Sequence, residues 1–131
     1  MILINKTSSN TVCLTLSEKT TLTTAVYLFE FIKDGSPGIV KSFIAQDIAI
    51  NKYRINEFVI TESATENLLT GTISLNDGKY QYNVYEQVSS TNLTPSLALN
   101  KIETGRVEVK SIAAAIPAFN GQQTNIKQFN G

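Results

Sequence analysis

At 131 residues, 42% apolar and 17% charged, the chain has room for one domain with a buried core and is too apolar to be disordered throughout. Eleven Lys and Arg balance eleven Asp and Glu, which argues against general phosphate-backbone binding, because that needs a positive field. There is no His and only one Cys, so the commonest general base and metal ligand are missing, and neither an intrachain disulfide nor a thiolate metal site can form.

Ile2, Leu3 and Ile4 predict a short edge strand or arm. They are too few for the apolar core of a signal peptide, and no later run approaches the length of a membrane span. The expectation is a chain kept in a cytoplasm or carried in a particle assembled there, with no membrane partner. Val12, Leu14 and Leu16 alternate with Cys13 and Thr15, which predicts the first clear strand. Cys13 is expected as a small buried or half-buried packing residue. Residues 25–32 are apolar on both faces except at Glu30, which predicts a central strand. Asp34-Gly35-Ser36-Pro37-Gly38 then breaks the chain direction.

Residues 39–45 predict the third strand and 46–52 a loop, despite Ile48 and Ile50. Residues 54–61 predict the fourth strand, with Phe58 and Ile60 inward. Ser63 with Glu66 three residues on resembles a capping box, although in a β protein a connecting loop is the commoner outcome. Leu69, Gly71, Ile73 and Leu75 alternate with polar residues and predict the fifth strand.

The sixth strand carries the strongest signal. The Asp77-Gly78 turn feeds directly into a period of two, with Tyr80, Tyr82 and Val84 on one face and Gln81, Asn83 and Tyr85 on the other. Asp77-Gly78-x-Tyr80-x-Tyr82 resembles the tyrosine corner of immunoglobulin-like sandwiches, where a Tyr hydroxyl bonds back to the upstream backbone. Residues 89–104, with Asn92, Leu93 and Pro95, predict a long loop, and 105–112 a seventh strand. About seven short strands at this spacing predict an all-β, immunoglobulin-like antiparallel β-sandwich over residues 1–112. Residues 113–131 predict an extended C-terminal tail with apolar Ile116, Phe119, Ile126 and Phe129 around an Asn/Gln/Gly-rich middle. Such a tail buries too little to fold alone, so it packs on the sandwich or on a neighbouring subunit.

Chemistry is sparse. Gly35-Ser36-Pro37-Gly38 lacks the Lys and the helix of a phosphate loop. A nucleophilic Cys13 would need a base that the chain lacks. A calcium site at Asn76 and Asp77 is a weaker reading than a turn. Tyr27, Tyr53 and Tyr85 could stack on sugars or bases, but no basic run is interleaved with them. Glu30 and Glu86 interrupt apolar strands and need partners if buried; Arg54 and Arg106, the only arginines, are the expected ones. The reading is a non-enzyme with no catalytic residues, cofactor or metal.

Several blocks carry a resemblance: Asn5-Lys6 with Ser9-Asn10-Thr11-Val12, Leu14-Thr15-Leu16 with Glu18-Lys19, and Tyr27-Leu28-Phe29-Glu30-Phe31. Tyr80-x-Tyr82-x-Val84-Tyr85-Glu86-Gln87, Ser90-Thr91-Asn92-Leu93 and Glu103-Thr104-Gly105-Arg106-Val107 continue it. From about residue 3 to residue 110 the chain resembles small structural proteins of the virion gene clusters of tailed phages of Bacteroidetes, crAss-like phages among them. The resemblance implies an auxiliary (decoration or cementing) capsid protein, located on the virion and assembled in the bacterial cytoplasm. Its implied partners are the major capsid protein and neighbouring virion subunits, copies of itself included, with no direct contact to nucleic acid. The other roles it leaves open are a head-fibre, tail or connector component and an adhesin for host-surface glycan. Ends and long loops are the expected contacts: Ile2, Leu3, Ile4, Asn92, Leu93, Pro95, Ile116, Phe119, Ile126 and Phe129.

Overall fold

The computed structural model describes residues 1–35, 39–51 and 54–111. Tyr53 and residues 112–131, with Ile116, Phe119, Ile126 and Phe129, lie outside the described residues. The described chain forms eight strands in two sheets: β1 (Ile2–Asn5), β2 (Ser9–Leu14), β3 (Val26–Lys33), β4 (Val40–Ala45), β5 (Asn56–Glu62), β6 (Thr72–Ile73), β7 (Gly78–Gln87) and β8 (Asn100–Lys110). One sheet has the order β1-β8-β7-β3-β4 and the other β2-β5-β6. The all-β, two-sheet expectation holds.

Alternation sets the layers. On β3, Tyr27, Phe29 and Phe31 face inward, and on β5 Phe58 and Ile60 do the same. Phe58 joins the sheets: its ring meets Phe29 edge-on at 5.0 Å and Tyr27 edge-on at 5.6 Å. Phe29 stacks on Phe43 at 5.3 Å, and Phe31 meets Phe43 edge-on at 5.0 Å. Each buried ring contributes roughly 2–3 kcal/mol through area removed from water, with about 0.5–1.5 kcal/mol more for each well-oriented pair.

Several expectations need correction. The sheets are not purely antiparallel, since β1 runs parallel to β8 and β6 parallel to β5. β6 is two residues long, because Gly71 takes a positive φ of 76° and the segment before it turns. β8 starts at Asn100, so the loop after β7 is shorter than expected. Ser63 caps no helix: its amide donates to Ile73 O (3.0 Å), while Glu66 accepts from Lys41 (2.7 Å) and from the Ser74 amide (2.9 Å). Cys13 is exposed, because Val12 takes the inward position beside it and β2 has an open outer face. The loop containing Ile48 and Ile50 is as expected, with both side chains in solvent.

Neither Glu30 nor Glu86 meets an arginine among the described residues. Glu30 accepts from Asn83 Nδ2 (2.9 Å) and the Tyr85 hydroxyl (3.0 Å). Glu86 is fully buried and binds Thr21. Arg106 pairs with Asp34 instead.

One cross-strand pair constrains the sheet closely. Tyr82 lies opposite Gly105, and a Cβ on Gly105 would sit 2.5 Å from Tyr82 Cε1. The ring lies over the bare glycine backbone, a way of covering a glycine in a sheet. Gly105→Ala is expected to cost about 1–3 kcal/mol by overpacking. Chemical denaturation should show that loss, and it should largely vanish in a Tyr82→Leu background.

Candidate interaction surface

The register separates two ends. Lys33, Val40, Gly78, Lys110 and Asn5 lie at one end of the five-stranded sheet; Val26, Ala45, Gln87 and Asn100 lie at the other. The first, the hairpin end, is charged. Asp77 accepts from Ser111 Oγ (2.6 Å) and faces Lys6 (3.9 Å), Arg106 pairs with Asp34, and Lys41 with Glu66. Exposed pairs of this kind contribute about 0–1 kcal/mol each.

The second end exposes more apolar side chains than the first, where Ile39 and Val40 are the exposed ones. Between the start of β3 and the end of β4 lies an open cleft of about 1120 Å³, with an apolar wall that includes Leu22, Val26, Ile50 and Leu69 and a polar one that includes Thr23 and Asn51. Ile50 is wholly exposed and Leu69 is 43% exposed. Ile48, Val88, Leu97 and Leu99 are further exposed apolar residues of this end. Among the described residues lining the cleft, Asp47 is the one charged side chain.

Buried and half-buried polar groups hold these walls. Asn56 Oδ1 accepts from the Leu16 (2.6 Å) and Ser17 (3.1 Å) amides, and its Nδ2 donates to Asp47 Oδ2 (2.7 Å). Asp47 Oδ1 accepts from the amides of Ala49 and Glu57, each at 3.0 Å. Glu86 accepts from the Thr21 amide (3.0 and 3.1 Å) and the Thr21 hydroxyl (2.6 Å), tying the segment before β3 to β7. Gln87 Nε2 donates to Ser89 O (3.0 Å) and Asn92 O (2.9 Å), and Asn92 Nδ2 donates back to Gln87 Oε1 (2.7 Å). This pair shapes residues 88–99, which close with the Leu99 amide donating to Glu86 O (3.0 Å). The 3₁₀ turn Pro95–Leu97 inside that loop buries none of its residues.

The predicted residues fall unevenly. Tyr80 donates its hydroxyl to Asn76 O (2.8 Å), the backward bond expected of the corner, and Gly78 takes the turn at φ 142°. Tyr82 instead donates to Glu103 Oε2 (3.1 Å). Ile2 and Ile4 are core residues, so Leu3 alone of that group faces solvent. Asn92, Leu93 and Pro95 are half-buried, and Asn92 serves the loop's own hydrogen bonds. Tyr27 is buried, its hydroxyl paired with Thr20 Oγ1 (3.0 Å), and Tyr85 is spent on Glu30.

Sequence reasoning missed Ile50, Leu69, Val88, Leu97 and Leu99. For Ile50, Leu97 and Leu99 the signal is apolar residues in segments with no strand on which to bury them, as in Ile48-Ala49-Ile50 and Leu97-Ala98-Leu99; Leu69 and Val88 lie beside predicted strand patterns and carry no such signal. Among the described residues no group of three or more His, Cys, Asp or Glu is placed to hold a metal ion. No protein-family model, curated protein or solved structure matches the chain.

Two outcomes follow from these contacts. Burial, with the Glu103 carboxylate beside it, pushes the Tyr82 phenol from 10.0 up to about 12. The folded state therefore favours the protonated phenol. That contribution to stability is complete below pH 10 and is lost as pH rises through about 12. Ultraviolet titration of the native protein should show Tyr82 ionising late, beside Tyr80 and Tyr85, which burial also raises, and Glu103→Gln should move Tyr82 back toward the ordinary range. Glu86→Ala should cost about 2–4 kcal/mol, because it strands the Thr21 amide and hydroxyl. Limited proteolysis should then cut within residues 15–25 first, and Glu86→Gln should be milder.

Proposed function

We propose that this chain is a structural virion protein, an auxiliary capsid protein that binds the outer surface of a phage head between major capsid subunits. The observation that carries the reading is the gathering of exposed apolar side chains around one open cleft at one end of the molecule. Exposed apolar surface of this kind favours burial against a partner. The resemblance over residues 3–110 supplies the virion setting.

The fold is read as immunoglobulin-like. The five-stranded sheet pairs the last two long strands, β7 and β8, with β3 and β4, as a variable-type sandwich pairs its F and G strands with C and C′. The β2–β5 pair and the Tyr80 hydroxyl bond to Asn76 O fit the same scheme. The parallel β5–β6 pair has no place in it.

Cementing needs no chemistry. A module whose contact surface spans two capsid subunits binds the assembled shell more tightly than the separated subunits. That difference in affinity is the stabilisation it confers. The internal hydrogen bonds of residues 88–99 hold Val88, Leu97 and Leu99 outward before binding, which lowers the ordering cost of association.

Co-sedimentation with mature heads stripped of their auxiliary proteins tests this directly. Saturable binding at fixed copies per capsomer is expected, absent with unexpanded shells. Val88→Asp with Leu97→Asp should weaken it by at least about tenfold. Retention by tails, fibres or host cells, with none by heads, would discard capsid decoration for the fibre, tail or adhesin roles.

A further inference from the structure

The cleft and the end of the described chain lie at opposite ends of the sandwich. β8 delivers the chain to the hairpin end, where Ser111 bonds Asp77. The cleft is lined by the start of β3 and the end of β4, at the other end. Residues 113–119 follow directly and read Ala-Ala-Ala-Ile-Pro-Ala-Phe, and from 112 to 126 the sequence carries no charge. An uncharged segment with apolar Ile116 and Phe119 can cover the apolar wall of Leu22, Val26, Ile50 and Leu69 without stranding a charge in the cleft, whose one charged lining residue is Asp47.

Chain length decides whose cleft it reaches. Returning from Ser111 to the level of Tyr27 means retracing β8, roughly 33 Å at the strand rise. A fully extended chain carries Ile116 at most about 18 Å from Ser111 and Phe119 about 29 Å. Both fall short of the chain's own cleft. A second copy placed with its cleft end against the first copy's hairpin end has its cleft within reach of both.

We infer that the cleft is a docking site for residues 113–119 of a neighbouring copy of this chain. This rests on reading the cleft end as a contact surface and names the occupant of its cavity. Val88, Leu97 and Leu99 lie outside the cleft lining and stay available to another partner. The contact is heterologous, head to tail, and closes into a ring when the rotation between copies allows. A ring of such copies around a capsomer axis would link each copy to the next as well as to the shell.

Complementation in the full chain tests it. Ile50→Asp with Leu69→Asp blocks the cleft; Ile116→Asp with Phe119→Asp blocks the segment. All four positions are surface or terminal, and unchanged thermal unfolding would show both variants folded. In sedimentation velocity the unaltered protein should associate as concentration rises, and each variant alone should associate at least about tenfold more weakly. Mixed in equal amounts, the two variants should form a heterodimer and nothing larger, since one intact cleft and one intact segment remain. A mixture that stays monomeric would overturn the inference, and so would unaltered protein that is monomeric at every concentration. The shell assay is separate. Association between copies without binding to heads would sink the capsid reading and leave the cleft assignment standing.

Discussion

The fold turns on Phe58. The three-stranded sheet is small, with a two-residue strand at one edge, and hydrogen bonds alone would not hold it against the five-stranded sheet. Phe58 projects from its central strand between Tyr27 and Phe29, and both contacts are edge-on. Edge-to-face packing fixes direction as well as distance, since the positive ring edge meets the negative ring face. With Phe29 stacked on Phe43 and Phe43 meeting Phe31, one connected set of rings passes from β5 through β3 to β4. The relative placement of the two layers, and with it the mouth of the cleft, follows from that set.

Polar groups then fix what the rings leave loose. Glu62, Glu86, Asn10 and Asn56 are all buried, and each binds backbone of a turn or loop. Glu62 accepts from the amides of Thr7 (2.8 Å) and Leu75 (3.0 Å). Asn10 accepts from the Asn5 amide (2.9 Å) and donates to Ile60 O (3.2 Å). A turn has backbone groups that no ladder satisfies, and a buried side chain that satisfies them fixes the path of the chain. Asn83 is the exception: its Oδ1 is buried without a donor among the described residues, a cost of about 1–3 kcal/mol. Its amide is oriented instead by the Glu30 carboxylate opposite.

Strand existence was legible because period-two alternation and turn residues are local. The Asp77-Gly78 turn and the Tyr80 bond to Asn76 span four residues, so the sequence carries them whole. What was not legible depends on contacts distant in the chain. Glu86 was read toward an arginine because a buried charge suggests an opposite one; the structure satisfies it with Thr21, 65 residues away, whose amide and hydroxyl carry no sequence mark of that role. Ile2 and Ile4 look like free contacts in the sequence because an N-terminal apolar arm has no visible partner there. Their partner is β8, more than a hundred residues on. Cys13 was misplaced for a related reason: apolar neighbours on both sides say nothing about which face of β2 is covered. The exposure of the apolar residues at the cleft end is not legible in the sequence, because burial outside a paired strand depends on what folds over the residue, and Leu69 falls outside the two-residue β6.

The difference between the two ends bears on function. Charged pairs at the hairpin end remain well solvated in a free molecule. At the other end, leaving Ile50, Leu69, Val88, Leu97 and Leu99 in water forgoes burial worth roughly 1.5–3 kcal/mol for each side chain fully covered. Among the described residues, none covers these side chains enough to recover that energy. The backbone beside these residues is held by Asn56, Asp47, Glu86 and Gln87, which keeps the loops from collapsing inward over the apolar groups. A zero formal charge also gives separate copies little electrostatic reason to stay apart. A surface that is apolar, held rigid and weakly repelled by its own kind gains most when another protein covers it. This is the physical requirement on a subunit that is stable alone and more stable assembled.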